Sequence, residues 1–273
     1  MSSSSYPVFN HSAGPGPQAP DPSPLPGSLH DENPPWSGWD VLGIACLTIF
    51  LIIVFLLMTT LVAQRVLFPN VPTMEVAKFP LVTVVAQLLA YFAVLAFMVL
   101  LVKRGHREPF WQAIRWNWPR NWIVYLGFGV VMAVALQGLA HFLPMPKELP
   151  IDRFFQTRME AWVISLFGMT LAPLLEEMFF RGFLYPVLVR RLGMVLAILL
   201  TAAAFGLIHA PQLGRAWAPV LVVFLVGLVL TITRALTKSV SAGMLIHIAY
   251  NGTISALIFV ASDGFRHLDK LNQ

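Results

Sequence analysis

Seven long apolar stretches constrain what this chain can fold into. They lie near residues 41–63, 81–102, 122–143, 161–180, 193–210, 217–234 and 241–261. Each is about long enough to cross ~30 Å of hydrocarbon as a helix. Of the 273 residues, 57% are hydrophobic and only 11% are charged, whereas a soluble protein carries about 25% charged residues. The sequence therefore predicts an all-α, polytopic transmembrane helix bundle of about seven spans, with eight as the alternative.

Basic residues lie at the ends of these spans. The loop between the second and third spans holds Lys103, Arg104, Arg107, Arg115 and Arg120. Cytoplasmic loops carry an excess of Lys and Arg, so we expect this loop and the N-terminus to be cytoplasmic. The formal net charge of +5 comes largely from such span-end residues and does not indicate a nucleic-acid partner. We expect an integral protein of the cell (inner) membrane.

The ends of the chain differ in composition from the bundle. Residues 1–38 contain nine prolines, many Ser and Gly residues, and no Lys or Arg. Such a segment cannot bury enough apolar surface to offset its ordering entropy, so we expect a disordered tail. The predicted bundle covers residues 39–262, and residues 263–273 form a short C-terminal tail. The single cysteine, Cys46, excludes an internal disulfide and a Cys-based metal site.

Several polar side chains fall inside the predicted spans, where an unpaired charge costs about 3 kcal/mol or more. They are Glu176, Glu177 and Arg181 on the fourth span, His209 on the fifth, and His247 and Asn251 on the seventh. We expect the fourth span to continue as helix beyond residue 180, to about Arg190. Ionisable residues in such places face a bundle interior or a cavity and mark functional sites. Estimates of depth at 1.5 Å per residue put the groups within the same part of the bilayer.

The spacing of these residues separates two roles. Glu177 and Arg181 are four residues apart and can form an ion pair along one helix. Glu176 has no cation at helical spacing, so its partners must come from other spans. Pro173 lies three residues before Glu176 and predicts a kink in the helix.

The residue types indicate hydrolysis of an acyl bond. A carboxylate beside a histidine can hold and deprotonate a water molecule. Glu176, His209 and His247 could instead bind a zinc ion that lowers the pKa of that water. The side-chain amide of Asn251 can donate to an oxyanion, or it can join two helices. These residues are compatible with a zinc-dependent mechanism and with a metal-free mechanism.

Three motifs resemble those of one known family. They read EEMFFR at 176–181, FGLIH at 205–209 and HIAYN at 247–251. The pattern resembles the CAAX-protease and bacteriocin-processing family of intramembrane proteases, also called the Abi family. The similarity covers about residues 160–260, which we expect to form the protease-like core.

The resemblance implies an intramembrane endopeptidase that cleaves a membrane-associated protein or peptide. It implies that Glu176 and His209 activate the water and that His247 and Asn251 stabilise the oxyanion. Glu177 and Arg181 are expected to support the site. The family includes enzymes that trim prenylated CAAX proteins and others linked to bacteriocins, so either type of substrate is compatible.

Two other functions fit the same buried polar set. A proton- or ion-coupled transporter would use Glu and His residues as a relay, although the sequence shows no inverted repeat. A non-catalytic membrane scaffold would have no need for costly buried charges. The three motifs in series favour the protease over both alternatives.

Overall fold

The structure, a computed structural model, describes residues 34–105 and 109–268. These residues form helices and turns, with no strand among them. The helices are α1 (Gly38–Val66), α2 (Thr73–Val76), α3 (Pro80–Gly105), α4 (Phe110–Ala113), α5 (Trp122–Ala140), α6 (Arg158–Met169), α7 (Leu171–Glu177), α8 (Tyr185–Leu192), α9 (Met194–His209), α10 (Trp217–Thr237) and α11 (Val240–Ala261). A 3-10 helix (Pro150–Phe154) precedes α6, and a π-helical segment (Met178–Leu184) joins α7 to α8. The predicted all-α fold is confirmed.

Six segments of the described chain are long and apolar enough to cross a membrane. They are Gly38–Val66, Pro80–Arg104, Trp122–Ala140, Arg158–Leu192, Trp217–Thr237 and Val240–Ala261. The remaining predicted span, 193–210, forms α9, which has 16 residues. At 1.5 Å per residue it rises about 24 Å, less than the ~30 Å of a hydrocarbon core. The chain is an integral membrane protein, and its described residues contain six segments of spanning length and one shorter apolar helix.

The fourth span is broken in two ways. Helix α6 ends at Met169, and Thr170 leaves the helical conformation with φ −122° and ψ −73°. Pro173 explains this break, because its ring clashes with the carbonyl of the residue four positions earlier and it has no amide hydrogen. The predicted kink is confirmed. The second irregularity, the π-helical segment Met178–Leu184, was not predicted, since we expected regular helix to about Arg190.

The broken span lies among the other helices rather than at the edge of the bundle. Its α8 part packs against α9, and its α6 and α7 parts pack against α11. The most extensive helix pairs are α9 with α10, α5 with α11, and α1 with α3. Helix α5 approaches α11 closely because Gly129 faces the backbone carbonyl of Ile246, where a Cβ atom has no room. Helix α7, which carries the carboxylates, packs against α6 and α11.

The packed part of the chain extends beyond the predicted limits of 39–262. Residues 1–33 of the predicted tail lie outside the described residues, as do 269–273 and the loop residue Arg107. Residues 34–38 do not form part of a loose tail, because Trp36 is only 2% exposed. Phe265 is likewise 2% exposed. Burial of a large aromatic ring holds each of these segments against the bundle.

A loop fixes the start of α11. The amide of Val240 donates to the carbonyl of Arg115 at 3.0 Å. The hydroxyls of Ser239 and Ser241 both donate to the carbonyl of Asn117. The Ser239 hydroxyl also accepts from the amide of Ala242 and so caps the helix. These bonds set the position of α11, which carries His247 towards the carboxylates.

Candidate active site

Two adjacent carboxylates lie where α7 changes into the π-helical segment. Glu176 and Glu177 are the last two residues of α7, and Met178 begins the π-helical segment. π-helical turns occur mostly inside α-helices and often at functional sites. The Glu177 side chain is fully buried, whereas 15% of the Glu176 side chain is exposed. The two glutamates thus differ in environment, as their different helical partners predicted.

Glu177 is held by a buried ion pair. Its Oε1 atom lies 2.7 Å from Nη1 of Arg181, which is also fully buried. Arg181 donates two further hydrogen bonds to α10: from Nη2 to the carbonyl of Gly227 at 2.9 Å, and from Nε to the hydroxyl of Thr231 at 3.3 Å. The predicted ion pair is confirmed, and it also joins the fourth span to α10.

Aromatic rings enclose the guanidinium of Arg181. Its Cζ atom lies 4.6 Å from the ring centre of Phe205 and 5.8 Å from that of Phe180. A desolvated cation over an aromatic face is attracted by the ring quadrupole. The Phe205 ring also lies 4.8 Å from the ring of His209 and 5.6 Å from that of His247. Phe205 thus contacts the cation and both histidines.

His247 joins the two glutamates. Its Nδ1 atom lies 3.1 Å from Oε1 of Glu177, and its Nε2 atom lies 3.8 Å from Oε2 of Glu176. An ionised carboxylate only accepts hydrogen bonds, so beside an ionised Glu177 the proton of neutral His247 is on Nδ1. The Nε2 lone pair of His247 then faces Glu176.

His209 likewise directs its Nε2 atom at Glu176, towards the other carboxylate oxygen. Its Nδ1 atom lies 2.8 Å from the carbonyl oxygen of Phe205 and must be the donor. Its Nε2 atom lies 3.8 Å from Oε1 of Glu176. Each oxygen of Glu176 therefore has one histidine Nε2 atom at the same distance. The structure brings Glu176, His209 and His247 together from three different helices.

Asn251 is not part of this contact set. Its side-chain nitrogen donates to the carbonyl of Gly168 in α6 at 2.6 Å. This bond ties α11 to α6, which is the interhelical role that the sequence left open. The amide carries two hydrogens, and the bond to Gly168 uses one of them.

A metal site was the second version of the chemistry that the sequence allowed. Within residues 34–105 and 109–268, no group of three or more His, Cys, Asp or Glu side chains is arranged to hold a metal ion. The donors Glu176, His209 and His247 are near one another, but the carboxylate–imidazole distances of 3.8 Å exceed the roughly 3.4 Å between ligands on a tetrahedral zinc, whose bonds are ~2.1 Å long. The side chains as arranged do not fit a metal ion.

Sequence inspection missed residues that shape the site without carrying charge. Thr231 and the carbonyl of Gly227 bind Arg181. Gly243 lets α11 approach Glu177, because a Cβ atom there would lie 2.7 Å from Oε2 of the glutamate. The spacing of Gly227 and Thr231, four residues apart in an apolar helix, was the available signal for the first pair. The sequence also did not predict the burial of one charged residue away from the site: Arg234, at the end of a predicted span, is 1% exposed and lies over the ring of Tyr185.

A family of known proteins matches the part of the chain that contains these residues. Residues 158–253 match the family described as type II CAAX prenyl endopeptidase Rce1-like. The match contains Glu176, Glu177, Arg181, His209, His247 and Asn251. It confirms the resemblance to the CAAX-protease family and supports a protease acting on a peptide substrate at the membrane. Neither the curated proteins nor the solved structures gave a match to this chain.

Proposed function

We propose that this protein is an intramembrane endopeptidase that hydrolyses a peptide bond of a membrane-associated substrate. One observation carries the proposal: Glu176 has an imidazole Nε2 atom 3.8 Å from each of its oxygens. Both imidazoles are oriented through Nδ1, by Phe205 and by Glu177. The carboxylate of Glu176 and the Nε2 lone pair of His209, directed at one small volume, form a proton-accepting site. The family match is consistent with this chemistry.

The separation of 3.8 Å suits one water molecule. It is too long for a direct hydrogen bond, but a water about 2.8 Å from both atoms can bridge them. In the proposed reaction this water donates one hydrogen to Glu176 and the other to Nε2 of His209. Glu176 takes the first proton as the water oxygen attacks the peptide carbonyl, and the carboxyl then returns that proton to the departing amine.

The negative oxygen of the tetrahedral intermediate needs donors. His247 can donate from Nε2 when it is an imidazolium, because Nδ1 is already directed at Glu177. Asn251 can donate its second amide hydrogen while the first remains bound to Gly168. Glu177 and Arg181 act as supporting residues: the ion pair holds Glu177 in place, and Glu177 in turn orients His247.

The family match and the membrane setting support one class of substrate. We propose a protein or peptide held at the bilayer surface, with a prenylated C-terminus or a bacteriocin-type sequence as the two candidates. The Lys- and Arg-bearing segment after α3 supports a cytoplasmic N-terminus in the cell membrane. A glutamate-type mechanism without metal is the version that the side-chain arrangement supports.

The test is Glu176→Gln, which keeps the size of the side chain and removes its basicity. General-base catalysis contributes about 10²–10⁴ in rate, so cleavage should fall by about that factor. Membrane proteomics of cells with the wild-type protein and with Glu176→Gln should reveal peptides that need the carboxylate. Glu148→Gln, in an exposed loop, is the matched control.

Three results would contradict the proposal. One is cleavage at the wild-type rate by Glu176→Gln protein that is correctly inserted. Another is Glu176-dependent proton or ion flux in liposomes without any cleaved product, which would favour the transporter alternative. A phenotype that survives alanine at Glu176, His209, His247 and Asn251 together would instead support a scaffold.

A further inference from the structure

The segment just before α1 contacts the π-helical segment of the carboxylate-bearing span. The indole nitrogen of Trp36 donates to the carbonyl of Phe183 at 3.0 Å, across 147 residues of sequence. The two rings stack with their centres 4.3 Å apart. Trp36 also lies in a buried apolar cluster with Phe110, Met178 and Phe183. Trp36 is therefore part of the apolar core that surrounds the π-helical segment.

A second set of bonds fixes the same segment from α8. Nη1 of Arg190 donates to the carbonyl of Pro34 at 3.0 Å, and Nη2 donates to the carbonyl of Trp36 at 3.2 Å. The planar guanidinium thus holds two successive parts of the segment at once. Arg190 thus binds the backbone of Pro34 and Trp36, while Phe183 binds the side chain of Trp36.

The π-helical segment is the part of the span that needs such a support. Its residues have i→i+5 geometry, which is rare because it is less favourable than the α-helix. The indole N–H of Trp36 adds a donor from outside the helix at this point. Its bond to Phe183 stabilises the π register.

The register matters because it sets where the carboxylates lie. If the π-helical turn returned to α geometry, the residues on one side of it would shift by one position, which is a rise of about 1.5 Å and a rotation of about 100°. Glu177 borders this segment and Arg181 lies inside it. A change of register would therefore move Glu176 and Glu177 relative to Arg181 and the two histidines.

We infer that Trp36 is a positioning residue for the active site, acting through Phe183 to hold the π-helical segment in register. This inference rests on the proposed peptidase function for its kinetic consequence only. The structural consequence, a stabilised turn at 178–184, holds whatever reaction the site performs. Trp36 itself touches neither the carboxylates nor the histidines in the described contacts.

The test is Trp36→Phe, which keeps an aromatic ring for the stack and removes the N–H donor. Trp39→Phe is the matched control, because Trp39 lies in the first turn of α1 and is 78% exposed. Amide hydrogen exchange is measured first, in purified protein. We expect exchange in peptides covering 178–190 to become about tenfold faster or more in Trp36→Phe, while peptides from α5 remain unchanged.

Kinetics are measured with a fluorogenic peptide that ends in a prenylated CAAX sequence. A misplacement of about 1 Å can reduce the rate by ~10²-fold, so we expect kcat to fall by at least about tenfold with KM unchanged. Arg190→Lys keeps the charge but loses the two-pronged contact and should give a smaller change in the same direction. Arg65→Lys, at the exposed C-terminal end of α1, is its control.

The outcomes separate this inference from the proposed function. If wild type and all variants fail to cleave any peptide, the peptidase proposal fails and the exchange experiment alone decides the role of Trp36. Unchanged exchange at 178–190 in Trp36→Phe overturns the inference. So does a uniform increase in exchange throughout the chain, because that result shows a general loss of stability. If Trp36→Phe does not fold, Arg190→Lys with the same exchange measurement takes its place.

Discussion

The buried pair between Glu177 and Arg181 offers a quantitative test of the site's architecture. Arg181→Met removes the guanidinium while keeping a long apolar side chain in its place. Glu177 would then remain fully buried with His247 as its only described hydrogen-bond partner. A buried charge without its partner is expensive because the surrounding protein cannot replace water.

The size of the effect can be worked out from the contacts of Arg181. The guanidinium makes three hydrogen bonds, at 2.7, 2.9 and 3.3 Å, each worth about 1.5–3 kcal/mol because a charged group takes part. Its contact with Phe205 adds about 2 kcal/mol when desolvated. These values are not additive, and removal of one member of a buried pair costs about 3–5 kcal/mol. We therefore expect Arg181→Met to lose about 4 kcal/mol.

Thermal unfolding of detergent-purified protein measures this loss. For a chain of this size, 1 kcal/mol lowers Tm by about 2–4 °C, so Arg181→Met should lower Tm by roughly 10 °C. Arg65→Met, at the exposed end of α1, should change stability by less than about 0.5 kcal/mol. Glu177→Gln alone should also destabilise, because it leaves the guanidinium buried without a carboxylate.

The double variant Arg181→Met/Glu177→Gln decides whether the pair is the cause. Removing both charges removes the unpaired group, so the double variant should be less destabilised than the sum of the single variants, by about 2 kcal/mol or more. If the two losses simply add, or if Arg181→Met changes Tm no more than Arg65→Met does, the buried ion pair does not stabilise the bundle as we argue.

Three further predictions test other contacts of the site. Gly243→Ala places a Cβ atom 2.7 Å from Oε2 of Glu177 and should cost about 1–3 kcal/mol with loss of cleavage, whereas Gly252→Ala, with nothing within 4 Å, should be neutral or slightly stabilising in the same melting assay. Asn251→Asp removes both amide donors. If this residue stabilises the oxyanion, kcat should fall by about 10²–10³, while a pure link to Gly168 would show in Tm alone. Purified protein should hold less than one zinc per chain by elemental analysis and keep its activity in a chelator; stoichiometric zinc with chelator-sensitive cleavage would contradict the glutamate-type mechanism.

Much of the site could be predicted from the sequence, because the free energy of placing a side chain in the membrane depends on its residue type. A glutamate or histidine in hydrocarbon needs a partner wherever it lies. The spacing along one helix pairs Glu177 with Arg181 and leaves Glu176 without a cation on its own helix. The structure confirms that division, with Glu176 facing His209 and His247 from other helices.

The sequence by itself determined the helical spans, the break at Pro173 and the identity of the polar groups, since hydropathy, proline geometry and helical spacing are local properties. Only the tertiary structure decided which atoms meet. The π-helical turn, the position of Trp36 against Phe183 and the bond from Asn251 to Gly168 each depend on segments far apart in sequence. Such contacts are set by how whole helices pack, and the distance between two helices cannot be read from the pattern of residues along the sequence.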